Sequence, residues 1–258
     1  MGRIIAVANQ KGGVGKTTSV INLSAALGEA GKKVLTVDMD PQGNSSSGLG
    51  LDKNKLEKTV YQLMIGKCGL SDCSYPSSAK NVTVVPATVH LAGAEVELFG
   101  QAQSRAILKT ALDSVRKDYD FILIDCPPSL NLLTINAMVA ADSVMIPIQC
   151  EYYALEGLSQ LMYTIGLVQK SLNPALKVDG VVFTMFDART NLSVEVIENV
   201  KSYFKEHIYR SVIPRNVRLA EAPSHGLPIT RYDSRSSGAE SYRKLAKEVI
   251  KNKIEGIG

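Results

Sequence analysis

One stretch limits what this chain can fold into more than any other: residues 9–19, Asn-Gln-Lys-Gly-Gly-Val-Gly-Lys-Thr-Thr-Ser. The apolar run 4–8 before it reads as a short buried strand, and Val20, Leu23, Leu27 and Ala30 after it mark one face of a helix. A strand, a glycine-rich turn and a helix start in that order form a phosphate cradle. Gly12, Gly13 and Gly15 let successive backbone N–H groups converge, and the new helix adds the positive end of its dipole. Val14 and Thr18 complete the loop, Lys16 is placed to reach the β- and γ-phosphates, and the Thr17 hydroxyl suits Mg²⁺. The bland alternative is a glycine-rich turn carrying two solvated lysines. Gly-Lys-Thr-Thr between a strand and a helix makes that the weaker reading.

The generic phosphate-loop pattern asks for glycine at position 10, where this chain has Gln10, and instead places a second lysine, Lys11, before the glycines. The run Lys-Gly-Gly-Val-Gly-Lys-Thr-Thr resembles the deviant Walker A motif of the ParA/MinD family of P-loop ATPases. In that family the extra lysine reaches the partner's phosphates across a nucleotide-sandwiched dimer.

Two more strand ends face the same rim. Residues 34–37 run into Asp38-Met-Asp-Pro-Gln-Gly-Asn, and residues 119–129 read Tyr-Asp-Phe-Ile-Leu-Ile-Asp-Cys-Pro-Pro-Ser. Open parallel sheets place their sites at the carboxyl ends of strands. Asp125 is therefore expected to deliver a Walker B carboxylate to the second shell of the metal. The first run resembles the ParA switch I, which implies that Asp40 positions the attacking water and sits close to the metal, while Asp38 suits a capping role.

Further strands are expected over residues 82–87, 142–149 and 178–183, with residues 208–213 closing the sheet. Helix faces are marked by Leu108, Ala111, Leu112 and Val115, by Leu158, Leu161, Met162, Ile165 and Val168, and by Ile197, Val200 and Phe204. Residues 45–80 read as loops around one short helix, 60–65. Strands alternating with helices imply one α/β domain over residues 1–258, a doubly wound, mainly parallel sheet with helices on both faces.

With these motifs, and with Thr-Met-x-Asp-x-Arg-Thr from Thr184 and Pro-Arg-Asn-Val-Arg-Leu-x-Glu-Ala-Pro-Ser from Pro214, the chain resembles bacterial partitioning ATPases of the ParA/Soj type, without the N-terminal extension of larger plasmid versions. The resemblance implies ATP and Mg²⁺ as cofactors, with the adenine near Met185, Pro214, Asn216 and Val217. It also implies a homodimer with ATP, nonspecific double-stranded DNA as partner, and slow hydrolysis stimulated by a ParB-type centromere-binding protein. Lys11, Lys16 and Asp40 are then the catalytic candidates.

Charge agrees with a polyanion partner. Residues 201–258 hold 12 Lys and Arg against 6 Asp and Glu, in a chain whose net charge is +4. Arg189, Arg218, Arg231, Arg235, Arg243, Lys247 and Lys251 are the DNA candidates, the last three at helical spacing. Arg189 or Arg218 could instead pair with Glu221 or touch nucleotide. The basic segment 238–257 also admits a MinD-like membrane reading, although its apolar face offers Leu245, Val249 and Ile250 without Phe or Trp. A metabolic P-loop enzyme of the dethiobiotin-synthetase or reductase type is the third reading. Cys68, Cys73, Cys126 and Cys150 supply neither a Cys-x-x-Cys pair nor a disulfide framework, which fits a reducing compartment, and no apolar run approaches the roughly 20 residues that span a bilayer, so a cytoplasmic protein is expected, and the resemblance implies that it is nucleoid-associated. Ala6 stands where a myristoylation signal wants Ser or Thr.

Overall fold

The computed structural model describes residues 2–252 apart from Ala102 and Tyr152. Strands β1 (Arg3–Val7), β2 (Val34–Asp38), β3 (Tyr75–Pro76), β4 (Val82–Val85), β5 (Phe121–Asp125), β6 (Ser143–Gln149) and β7 (Lys177–Thr184) form one sheet in the order β3-β4-β2-β5-β1-β6-β7. Every pairing is parallel except that of the short edge strand β3 with β4. The interior strands read as unbroken apolar runs because both faces are covered.

Alternation along β1 divides the core. Ile4 and Ala6 point to one face, where they meet α3 (Val60–Met64), α4 (Leu91–Glu97), α5 (Ile107–Val115), α6 (Leu132–Ala140), α7 (Ala154–Ser171) and α8 (Asn191–Tyr203). Ile5 and Val7 point to the other, against α1 (Lys16–Glu29), α9 (Val217–Glu221), α10 (Ile229–Tyr232) and α11 (Ser237–Lys251). The doubly wound architecture is the one the alternating pattern implies. A short α2 (Asn44–Gly48) follows the Asp38–Asp40 corner. No helix among the described residues is long and apolar enough to cross a membrane.

Residues 208–213 do not form the closing strand expected of them. They touch β7 through one isolated bridge, Val181 with Ile208, and through the Ile213 N–H, which donates to the Phe183 carbonyl at 2.8 Å, without a continuous ladder between these contacts; a second bridge, Phe186 with Pro214, lies beyond the end of β7. The Glu248 carboxylate on α11 accepts the Arg210 and Ser211 N–H groups, both at 2.8 Å, so the backbone between these contacts bonds to α11 instead of β7. Phe204 likewise lies just past the helix end, with extended backbone at φ −90° and ψ 119°. Ala30 caps α1 and is exposed. In α11, Leu245 and Val249 are fully buried against the sheet and Ile250 packs beside them, while residues 253–257 of the basic segment lie outside the described residues.

At the amino ends of the strands, Arg3 ties the two ends of the chain together. It pairs with buried Asp179 and donates to the Val249 carbonyl at 3.0 Å and the Asn252 carbonyl at 2.8 Å. Asp179 also accepts from Tyr209 at 2.5 Å and Ser143 at 2.9 Å, so this buried carboxylate is fully partnered.

Candidate functional site

The loop between β1 and α1 has the backbone its glycines require. Gly13 and Gly15 adopt left-handed φ of 75° and 86°, where side chains are disfavoured. Its position is fixed from below: Thr184, at the end of β7, donates from its hydroxyl to the Val14 carbonyl at 2.8 Å. Asn9 reaches across to the Pro147 carbonyl at 2.8 Å and accepts the Lys11 N–H at 3.0 Å.

Lys16 is buried at the loop centre, where its ammonium donates to the Lys11 carbonyl at 3.0 Å. Burial lowers its pKa, against which the nearby Asp125, Cys126 and Asp40 push it back up. Such a lysine is held for an anion, because a phosphate would replace lost hydration with charge-assisted bonds.

Asp125 and Asp38 end adjacent strands at the same register level. Both are fully buried, but they are partnered differently. Asp38 accepts from the Ser46 N–H at 2.9 Å, the Ser46 hydroxyl at 2.6 Å and the Asp40 N–H at 3.1 Å, so it anchors α2 and serves structure. Asp125 has no hydrogen-bond partner on either oxygen. Burial first, and then the charges of Asp38 and Asp40, raise its pKa well above the ordinary carboxylate range; the Thr17 hydroxyl and Lys16 beside it oppose the shift.

An orphaned buried carboxylate close to Thr17 fits a hydrated cation. Thr17 would supply a direct oxygen and Asp125 would hold a coordinated water. Asp40, only 8% exposed, has one oxygen taken by the Gln42 N–H at 2.9 Å, and its charge is close enough to act on both Lys16 and Asp125. Among the described residues no group of three or more His, Cys, Asp and Glu could hold a metal by itself.

Next to the loop opens a mostly apolar cavity of about 340 Å³ lined by Gly15, Thr18, Met185, Pro214, Asn216 and Val217, which were all expected at a nucleotide site. Thr184, Ile213, Arg215, Leu219, Ala220 and Tyr242 line it as well. Thr184 was within reach of sequence reasoning, since it ends the strand that delivers Met185. Tyr242 was not, because it belongs to α11 and is carried there by packing, with its hydroxyl 3.2 Å from Ser19 of α1. Met185 holds a positive φ of 52°, a costly conformation for a side-chain-bearing residue and one that recurs at ligand sites.

The basic candidates separate into two groups. Arg218 pairs with Glu221 at 2.9 Å and approaches Asp233 at 3.8 Å, as the alternative reading allowed. Arg189 is held in a two-pronged bond by Asp187, at 2.8 and 2.6 Å, which in turn pulls the Asp187 pKa well below the carboxylate range. Arg243 pairs with Glu29 at 2.9 Å, and Arg231 donates to the Ser78 carbonyl. Arg235, Lys247 and Lys251 are exposed and have no ion-pair partner among the described residues. Cys126 and Cys150 are buried core residues, as expected, and all four cysteines are free.

A mainly parallel sheet in which an interior strand feeds a glycine loop with a buried lysine, and the adjacent strand ends in a buried aspartate, defines a P-loop nucleotide-hydrolysing protein. A protein-family profile described as an AAA domain matches residues 2–178. The sporulation initiation inhibitor protein Soj of Bacillus subtilis is 58% identical over 252 residues, covering 98% of this chain and all of the relative. The chromosome-partitioning ATPase Soj of Treponema pallidum is 52% identical over 250 residues, 97% of this chain and 98% of that one. Among solved structures, cobyrinic acid a,c-diamide synthase of Mycobacterium smegmatis with bound ATP analogue and magnesium superposes with a TM-score of 0.86 at 38% identity, over 97% of this chain and 95% of that one. The chain belongs to the Soj/ParA family of chromosome-partitioning ATPases.

Proposed function

We propose that the chain is an ATP-driven switch for DNA segregation, working in the cytoplasm on the nucleoid. ATP and Mg²⁺ fill the cradle and join two subunits face to face. The paired chains bind duplex DNA without regard to sequence, and slow hydrolysis, speeded by a ParB-type partner, releases them. The observation that carries this reading is the convergence of Lys16, Thr17, Asp125 and Asp40 on one buried corner beside an apolar cavity of nucleotide dimensions.

Each residue then has a task. The backbone of residues 12–18 and the Lys16 ammonium hold the phosphates, and the apolar cavity takes the base. Mg²⁺, which Thr17 would hold directly and Asp125 through water, would offset phosphate charge when bound. Asp40 orients the attacking water, and Lys11 of one subunit reaches the phosphates held by the other. Arg235, Lys247 and Lys251 supply cations for DNA phosphates, with Arg218 available once its carboxylate partners let go, since exposed pairs are weak, and Arg189 available only if DNA phosphate displaces its two-pronged bond to Asp187. Pairing doubles a patch too weak alone. The membrane reading loses support because the apolar face of α11 is spent on the core.

Two variants test the assignment together. Lys16→Ala is expected to lose nucleotide binding and therefore dimerisation. Asp40→Ala is expected to bind ATP, stop turning over and accumulate as dimer in gel filtration. A Lys16→Ala chain that bound a labelled ATP analogue normally, or an Asp40→Ala chain that stayed monomeric with ATP, would overturn it.

A further inference from the structure

In the resting chain Lys11 is already engaged. Its ammonium lies 2.6 Å from Glu151 Oε2, and the other Glu151 oxygen accepts from the Gln149 side chain. Its backbone is fixed as well, by the Asn9 side chain on one side and the Lys16 ammonium on the other. Both ends of Lys11 are therefore tied to its own chain, the backbone within its own loop and the ammonium just past the end of β6. The pair is 37% and 44% exposed, so water and salt reach it and it can open. Beside it lies a shallow cavity lined by Gln10, Lys11, Pro128, Leu130, Tyr153 and Gln160, in which Leu130 and Tyr153 present 40% and 64% of their surface to solvent.

If Lys11 is to reach phosphates on a second chain, its ammonium must first leave Glu151. We infer that Glu151 is a positioning residue: it retains Lys11 within the single chain and sets how readily two ATP-loaded chains pair. The inference rests on the cross-chain role proposed for Lys11. Apolar surface at Leu130 and Tyr153 adjoins the contact, so closure of two chains over this region would cover the pair while Lys11 exchanges one anionic partner for another. Exposed ion pairs change equilibria by less than about fivefold each, and a dimer opens two of them. The device is therefore a bias of modest size that nucleotide overcomes.

The measurement is the monomer–dimer midpoint in ATPγS and Mg²⁺ by analytical ultracentrifugation. Glu151→Gln should pair at a protein concentration lower by about two- to tenfold. Glu151→Asp, which keeps the charge, should return most of the way to wild type. Added NaCl should favour pairing of the wild type more than of Glu151→Gln, because it screens a contact the variant lacks. Glu156→Gln removes a neighbouring acid that lines the same cavity and hydrogen-bonds to Gln160, and it should leave the midpoint unmoved. The thermal midpoint of nucleotide-free Glu151→Gln should match wild type, which a merely structural carboxylate would not allow. A midpoint unchanged or raised in Glu151→Gln, or lowered equally by Glu156→Gln, overturns the proposal. Lys11→Ala separates the two layers: if it pairs as readily as wild type, the cross-chain role itself fails and this inference with it. If Lys11→Ala does not pair and Glu151→Gln is unmoved, only the restraint by Glu151 fails.

Discussion

The Thr184 hydroxyl donates to the Val14 carbonyl at 2.8 Å, across 170 residues of sequence, so the end of β7 braces the loop that begins after β1. The same strand end turns through Met185 into the base cavity, which makes Thr184 the joint between the phosphate and base halves of the site.

Thr184→Val keeps the shape and removes the donor, leaving the Val14 carbonyl without its partner. Loss of one such bond is worth about 1 kcal/mol, and ATP affinity measured by calorimetric titration should fall roughly fivefold. Unchanged affinity would show that the loop holds its shape without the brace.

Asp125→Asn should separate stability from nucleotide response. The native pKa of Asp125 is raised, so between about pH 4 and that raised value the native state keeps a proton the unfolded chain has lost. Stability therefore falls as pH rises through this window, and Asn removes the fall. Nucleotide-free Asp125→Asn should melt higher than wild type at neutral pH, by on the order of 1 kcal/mol. Its further stabilisation by ATP with Mg²⁺ should shrink. Calorimetry at several pH values reads both, and a variant melting lower at every pH would show that the carboxylate has a partner.

Arg3→Ala strands Asp179 as a buried charge. Removing one member of a buried pair costs about 3–5 kcal/mol, and the carbonyls at the end of α11 lose their donor as well. Chemical denaturation should show the loss in full, whereas an effect under about 1 kcal/mol would mean Asp179 is satisfied by Tyr209 and Ser143 alone.

Arg218→Glu and Arg235→Glu probe the basic surface from its two groups. Each should leave ATP-dependent dimerisation intact while weakening DNA binding. Each lost phosphate contact should lower the slope of log affinity against log salt by about 0.9, doubled where both subunits contribute. If Arg218→Glu loses dimer and DNA together, its pair with Glu221 is structural and the DNA surface lies with Arg235 and Lys247.

Much of this was legible because the P-loop packs its chemistry into eleven consecutive residues and because strand ends carry their aspartates visibly. What escaped has physical reasons. Residues 208–213 have a strand's composition, but Glu248 from a distant helix claims two of their donors. Helix α6 shows no amphipathic period since residues 136–140 are buried on every side, and its N-terminal signal is one Asn131 cap at 3.2 Å from the Thr134 N–H. Tyr242 entered the base cavity through packing of α11 on α1, which no local pattern announces. The ion pairs of Arg189 and Arg243 depend on where Asp187 and Glu29 point, which charge counting does not give.

Because Tyr242 of the last helix closes the cavity that Gly15 opens, the ribosome must add more than two hundred residues between the two walls of one pocket. At synthesis rates of about 5–20 residues per second that is an interval of roughly 10–45 s. Through it the loop is a phosphate cradle without a closed base site, and β1 itself gains both neighbours only once residues 121–149 have been made. Nucleotide cannot guide the early folding of the nascent chain, and any fragment ending before α11 should be left to proteases even in abundant ATP.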